Sequence, residues 1–321
     1  MSNKQILHSE VILEKFGKSL AGKTVLITGV SNESIAGELA IQLAGADPKL
    51  LILSARAESK VTPIIHQIKE TKPKVETRFL NMDLSDLGAI RQAVTKDLAD
   101  VFKIDHVACV AGVMMCPYGK TNDGFETQFG VNHLANFLLV KLLLPKIEAA
   151  GPTSSVIIVA SSAVRNGKVN FDDIWFSEGN TYEPYTAYGQ SNAARVMFAK
   201  RLGEKLKSHG IRVFSIDPGA VQSGLQRHFT DDFKAQVAEM RNNGHLVDLD
   251  GKKFDFPPWT TRSEGAATII TGMIDPRIAD ATGAFLSQNA VANDDLHTHI
   301  SDEANWTRLW ALSEEFIGEK Y

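Results

Sequence analysis

The segment Thr28-Gly29-Val-Ser31-Asn32-Glu-Ser34-Ile35-Ala36 closes a short apolar run and opens an amphipathic one. A strand–helix turn of this kind points backbone N–H groups and the positive end of a helix at a pyrophosphate. A dinucleotide fingerprint normally carries three glycines here. This chain keeps Gly29 and, with Ile35 aligned to the apolar residue between the last two glycines, puts Ser34 and Ala36 in their places. Both are small: Ser34 can offer a hydroxyl to phosphate, and Ala36 still permits close helix–strand packing. Taken alone, the turn reads equally as a nucleotide cradle or as a plain structural connection. The next apolar run ends Leu53-Ser54-Ala55-Arg56. An acidic residue there would bind the ribose hydroxyls of NAD, and none is present. Arg56 instead offers a planar fork suited to a 2′-phosphate, with Ser31 and Asn32 able to assist. The cofactor expectation is therefore NADP(H) over NAD(H), against the alternative of a surface arginine at a helix start.

The elements that would carry these residues alternate along the chain. TVLITG, KLLILSA, VETRFLNMD, DHVACVAG, SVIIVAS and IRVFSIDPG read as buried strands, being short, apolar, rich in β-branched residues and closed by polar or glycine turns. Helical patterns fill 35–46, 60–71, 87–102, 122–147 and 186–209. This alternation predicts an α/β fold, a single-domain, doubly wound parallel sheet of Rossmann type with helices on both faces. Residues 1–22 read as an N-terminal helical extension and 23–321 as one NADP(H)-binding domain. Two stretches, 167–184 and 222–262, break the alternation; the second is expected to shape a substrate crevice at the strand ends.

Composition narrows the class. At 321 residues and 44% hydrophobic content, one large core is within reach. A net charge of −4 argues against a nucleic-acid partner. Cys109 and Cys116 do not make a disulfide framework and fit a reducing compartment. The first twenty residues lack a secretory core, and Phe137 to Leu144 is too short to span a bilayer. The expectation is a soluble, cytoplasmic protein with no membrane anchor.

Further residues fall in one order: Asp83-Leu84 after the third strand, Ala111-Gly112 after the fourth, Asn132 in a long helix, Ser161-Ser162 after the fifth, Tyr188 opening a helix, and Pro218-Gly219-Ala-Val221-Gln-Ser223 after the sixth. Over residues 23–290 this set resembles the short-chain dehydrogenase/reductase superfamily, in its retinol-dehydrogenase and WW-domain-oxidoreductase-like branch. The resemblance implies that Ser162 polarises a substrate oxygen, that Tyr188 exchanges a proton with it, and that Asn132 holds a relay water at a local helix break. It also implies that Asp83-Leu84 meet adenine, that Ala111-Gly112 line the nucleotide, and that the Val221 backbone and Ser223 meet the nicotinamide carboxamide. A homodimer or homotetramer is a further implication.

The chain departs from the family at two places. The family's Tyr-x-x-x-Lys lands here on Asn192, which can hydrogen-bond a ribose but supplies no charge. Losing the cation should raise the barrier by about 2–4 kcal/mol, roughly 30- to 1,000-fold in rate. Oxidation of an alcohol needs tyrosinate, whereas reduction of a carbonyl needs neutral tyrosine, so surviving redox chemistry should favour reduction. Arg195 lies on the same helical face and could return a cation, although an ordinary packing or surface salt-bridge arginine is the simpler expectation. The family's Asn-Asn-Ala-Gly reads Cys109-Val110-Ala111-Gly112, which removes polar groups that brace the nucleotide side.

The leading function is an NADP(H)-dependent oxidoreductase acting on the carbonyl or hydroxyl of an apolar small molecule. The alternatives are a non-redox isomerase, dehydratase or cyclase using Tyr188 and Ser162, and a catalytically silent binding protein. Trp175, Phe176, Phe254, Phe256 and Trp259 hint at a bulky apolar ligand. His297 and His299 read as part of a solvated loop rather than a metal site, Cys116 as no nucleophile, and Trp306 to Phe316 as a packed terminal helix.

Overall fold

The computed structural model describes residues 4–242, 244–255 and 257–321, with the backbone alone at positions 236 and 241. Phe256 therefore lies outside the described residues. The chain opens with α1 (Ser9–Phe16) and then runs β1 (Thr24–Thr28), α2 (Ile35–Ala44), β2 (Leu50–Ala55), α3 (Glu58–Thr71), β3 (Glu76–Asn81), α4 (Leu87–Gln92) and β4 (His106–Cys109). It continues through α5 (Thr127–Phe129), α6 (Ala135–Ala150), β5 (Ser155–Val159), α7 (Pro184–Leu206), β6 (Arg212–Asp217), β7 (Ala220–Val221), α8 (Asp231–Asn242), β8 (His245–Val247), β9 (Lys253–Asp255) and β10 (Trp259–Thr260). It ends with α9 (Arg262–Ile274), β11 (Phe285–Ser287), β12 (Ala290–Val291), α10 (Thr298–Ser301) and α11 (Glu303–Ile317).

The main sheet has the order β12-β11-β6-β5-β4-β1-β2-β3 and is parallel except for the antiparallel β12 edge. Strand alternation divides the core into two layers. Val25, Ile27, Leu51, Leu53, Ala108, Ile157 and Val159 face the layer with α1, α2, α3 and α9. Leu26, Leu50, Ile52, Val107, Cys109, Val156 and Ile158 face the layer with α4, α6 and α7. With both faces covered, the strands carry apolar residues at nearly every position, which is why they stood out as continuous runs. The order reverses between β1 and β4, and the crevice at that switch point is where an open α/β sheet takes its ligand.

The helical reading needed adjustment at several ends. The 87–102 pattern forms α4 and then a π-turn at Ala93–Asp97. The helix expected from 122 starts only at Thr127, because Lys120 and Glu126 pair as a bridge and the Glu126 carboxylate caps the N–H groups of Gln128 and Phe129. The N-terminal helix docks on α9 through Ser9 Oγ and Ser263 Oγ at 2.8 Å, while the Asn289 amide donates to the Gln5 carbonyl at 2.7 Å. Among the described residues no helix is long and apolar enough to cross a membrane, and no three His, Cys, Asp or Glu side chains converge as a metal site.

The solvated-loop reading of the histidine pair is corrected. His297 is buried and its Nε2 meets the Gly167 carbonyl at 2.8 Å, while His299 Nε2 accepts from the Val169 N–H at 3.1 Å. The pair therefore secures the loop that follows β5. Trp175 and Phe176 are also packing residues. Trp175 sits against Phe125, Phe129 and Phe316, and Phe176 meets Tyr182.

Candidate active site

Tyr188 owes its position to a defined helix start. Pro184 occupies the first turn of α7, and the Glu183 carboxylate accepts from the N–H groups of Tyr185 and Thr186 at 3.0 and 2.6 Å. The ring packs in a small apolar cluster with Met114 and Ala163, joined by Met115, Tyr185, Leu225 and Phe229. Leu225 and Phe229 come from the 222–262 stretch, so that stretch roofs the tyrosine. Phe229 also packs edge-on against Phe233, which meets Tyr185. Burial pushes the phenol above its ordinary range, while the Ser161 hydroxyl, the Arg195 charge and the Asn192 amide favour the ionised form.

The Ser161 hydroxyl favours the ionised form of Tyr188, whereas the resemblance gives the substrate-polarising role to its neighbour Ser162. Ser161 also caps the short 3-10 turn Ser162–Arg165 by accepting from the Ala163 N–H at 3.2 Å. Ser162 lines a neighbouring cavity of about 230 Å³ with Asp217, Gly219, Phe254 and Thr260. Its backbone N–H, with that of Gly219, holds the buried Asp217 carboxylate, whose pKa burial nevertheless raises.

Asn132 lies in the π-turn Gly130–Leu134, so the helix break is present. Its side chain clamps Val113, accepting from that N–H at 2.8 Å and donating to that carbonyl at 2.9 Å, and it donates to Ser191 Oγ at 2.9 Å. Its own carbonyl accepts from Asn136 Nδ2 at 2.8 Å and from Arg195 Nε at 2.5 Å. Asn192 is buried, and its amide donates back to the Tyr188 carbonyl at 2.8 Å. Its Oδ1 is buried without a hydrogen-bond partner among the described residues.

Arg195 is not a surface residue, and it has no salt-bridge partner among the described residues. Only 3% of it is exposed, and it donates to the carbonyls of Asn132, Val159 (2.8 Å) and Ala111 (2.5 Å). Burial pulls its pKa to about 10, so it remains charged at neutral pH. With Thr28, whose hydroxyl accepts from the Val110 and Ala111 N–H groups at 3.0 and 3.1 Å, it braces the end of β4 where the family's asparagines are missing.

At the nucleotide end, Ser54 O holds the turn by accepting from Gly29 N at 2.9 Å and Val30 N at 3.0 Å. Gly29 has φ +77, and a Cβ on it would stand 2.8 Å from Ala111 Cα. The Ser34 hydroxyl has a different task from the phosphate contact expected of it. It donates to the Ser31 carbonyl at 2.8 Å and accepts from Gly37 N at 2.9 Å, capping α2. Ile35 follows as the first helical residue, and Asn32 is exposed at the rim.

Gly37 escaped notice in the sequence, although a glycine three residues past a serine cap is a readable signal. A Cβ there would meet the Ser31 carbonyl oxygen at 2.3 Å. Gly37→Ala should therefore destabilise the fold by about 1–3 kcal/mol, as overpacking does, and should weaken dinucleotide binding by moving the turn. Urea unfolding together with a binding titration checks this, and an unchanged midpoint would show that the turn yields freely.

Asp83 folds back on Ser85 in an Asx turn, accepting from its N–H at 2.9 Å, and the side chain of Leu84 is buried. Beyond β6, Pro218 and Gly219 lead into β7, which pairs with β10. The Val221 N–H bonds the Gly219 carbonyl at 3.1 Å and its carbonyl accepts from Gln226 Nε2 at 2.8 Å. Ser223 caps the following 3-10 turn. The carboxamide contacts implied for Val221 and Ser223 therefore compete with partners inside the protein. Burial pushes the thiol of Cys109 up to about 12 and also raises that of Cys116, which leaves both unsuited to nucleophilic work.

The residues present fit a bound NAD(P)(H). Asn192 Oδ1 is an unspent acceptor at the position where the family holds the nicotinamide ribose. Arg56 is exposed just past β2, and no carboxylate pairs with it among the described ion pairs. The sheet order, the switch-point turn and the tyrosine opening α7 together define a short-chain dehydrogenase site. The family model described as short chain dehydrogenase matches residues 23–234, and the chain belongs to that oxidoreductase family. It is 36% identical to human retinol dehydrogenase 13 over 305 residues, covering 94% of this chain and 86% of that protein. Human retinol dehydrogenase 12 is 33% identical over 306 residues, with coverage of 94% and 88%. Among solved structures, a short chain dehydrogenase from Burkholderia cenocepacia J2315 in complex with NADP aligns at TM-score 0.63 and 18% identity, covering 84% of this chain and 99% of that one.

Proposed function

We propose that the protein is an NADP(H)-dependent enzyme that reduces the carbonyl of an apolar small molecule, with Tyr188 as the proton donor. The observation that carries this reading is the Tyr188 phenol, roofed by Leu225 and Phe229, packed against Met114 and Ala163, and held protonated by its burial. NADPH, when bound, supplies the hydride. The Gly29 turn would seat the pyrophosphate, Arg56 the 2′-phosphate, and Asn192 the ribose. Ser161, whose hydroxyl favours the ionised phenol, and Ser162 beside it would orient the substrate oxygen. Apolar walls exclude water and select an apolar substrate. The names of the relatives, retinol dehydrogenases, agree with this, since retinol is a long apolar alcohol. A cytoplasmic location belongs to the same reading and is supported by two free, buried cysteines. A homodimer or homotetramer is carried over from the family resemblance.

The direction of the reaction follows from the phenol. A raised pKa keeps the acid form populated to higher pH, so the reduction rate should stay flat through neutrality and fall only in alkali. Oxidation needs the phenolate and should rise about tenfold per pH unit over the same range. Initial rates in both directions against pH check this, and an oxidation rate that is flat from neutrality upward would sink it. The function itself is tested by titrating the protein with NADPH and NADH and then screening apolar aldehydes and ketones for NADPH consumption. Turnover without net NADPH oxidation would move the reading to isomerase, dehydratase or cyclase chemistry. Failure to bind either nucleotide would remove the oxidoreductase reading.

A further inference from the structure

We propose that Arg195 is the resident cation of the active site, placed by its three carbonyl contacts to supply Tyr188 with the positive charge that Asn192 cannot. This rests on the reading of Tyr188 as the site's acid/base. Arg195 follows Tyr188 by two helical turns on one face of α7, and a helical side chain leans back toward the N-terminus. The guanidinium reaches the ends of β4 and β5 and the π-turn through Ala111 O, Val159 O and Asn132 O. These are the elements that carry the neighbours of the tyrosine.

Two other residues make room for it. A Cβ at Gly112 would stand 3.2 and 3.3 Å from Arg195 Nη2 and Nη1, so glycine leaves that space open. Asn192 lies one turn before Arg195, and a lysine there would bring a second cation into the same buried space. The neutral Asn192 and the charged Arg195 thus form one compensated arrangement.

A purely structural role accounts poorly for the charge. Neutral donors satisfy carbonyls without burying a cation, and an unpaired buried cation is costly. The titratable groups that Arg195 acts on are Tyr188, Cys109 and His133; Asp217 acts on Tyr188 from β6, and Tyr188 in turn raises Tyr185 beside it on α7. Cys109 stays a neutral thiol, and the charge on Arg195 disfavours a cationic His133. Asp217 opposes the phenolate. Tyr188 is therefore the group whose ionised form the guanidinium serves. By donating to the Asn132 carbonyl, Arg195 also takes up an acceptor in the π-turn where the resemblance places the relay water.

The test needs neither cofactor nor substrate, so it stands or falls apart from the redox reading. Difluorotyrosine at position 188, whose phenol ionises near neutral pH, reports its own titration by fluorine NMR in the otherwise native chain. In Arg195→Met the midpoint should rise by about one pH unit or more, the scale for removing a neighbouring opposite charge. Arg195→Lys should hold it near the native value, and N192K combined with Arg195→Met should bring it back. If Arg195→Met fails to fold by circular dichroism, Arg195→Gln keeps hydrogen-bond donors without charge and should show the same rise. A neutral variant that folds and keeps the native midpoint overturns the proposal.

Discussion

Tyr188→Phe should lower carbonyl reduction by about 10²- to 10⁴-fold, the usual contribution of a positioned general acid, and leave NADPH affinity within about threefold. The substitution removes one hydroxyl and keeps the ring against Met114, Ala163, Leu225 and Phe229. Ser161 loses its contact with the phenol but still accepts from the Ala163 N–H, so no buried group is orphaned and stability should change by about 1 kcal/mol or less. Because the cofactor end of the site is untouched, the defect should fall on kcat with little change in nucleotide binding. Single-turnover NADPH oxidation in the native protein and the variant separates these effects. Full activity in a folded Tyr188→Phe would remove the tyrosine from the chemistry and leave the paired serines to be tested. Equal losses in nucleotide binding and turnover would point instead to a collapsed site.

Much of this arrangement was legible in the sequence because it is built from local signals. Six strands of the sheet are short β-branched runs, all but the edge strand β3 buried on both faces, and their limits shifted by at most three residues. Two elements that close the sheet gave no such signal. Phe285–Ser287 is three residues long and becomes a strand through pairing with β6, and α9 is buried all round, so it carries no amphipathic stripe. In the site, the position of Tyr188 could be read from its motif, whereas the task of Arg195 could not. Its acceptors come from residues 111, 132 and 159, which only folding brings together. The choice between Ser161 and Ser162 turns on how the chain leaves β5. The strand ends at Val159 and a 3-10 turn starts at Ser162, so the backbone between them decides which way each hydroxyl faces. The histidine pair looked solvated because its acidic neighbours are local, while its partners, Gly167 and Val169, lie far away in the chain.

Arg56→Asp should reverse the nucleotide preference by up to about 10³-fold, and Arg56→Ala should weaken NADPH binding by about 10- to 100-fold, the range for a charge-assisted hydrogen bond of roughly 1.5–3 kcal/mol. The geometry behind both is the junction of two strand ends. Thr28 and Ser54 are register partners, and the Ser54 carbonyl holds the first residues of the Gly29 turn. Arg56 follows Ser54 by two residues and so emerges beside the turn that would seat the pyrophosphate. Its side chain is exposed and no carboxylate pairs with it among the described ion pairs, so removing it should shift stability by less than about 0.5 kcal/mol. NADH lacks the 2′-phosphate, and Arg56→Ala should leave its affinity nearly unchanged. In Arg56→Asp the carboxylate repels that phosphate and can accept from the ribose hydroxyls of NADH, so the two affinities move in opposite directions. Calorimetric titration with both nucleotides reads the ratio directly. If Arg56→Ala lost NADH and NADPH binding equally, Arg56 would be shaping the turn instead of reading the phosphate, and the NADP(H) assignment would fall.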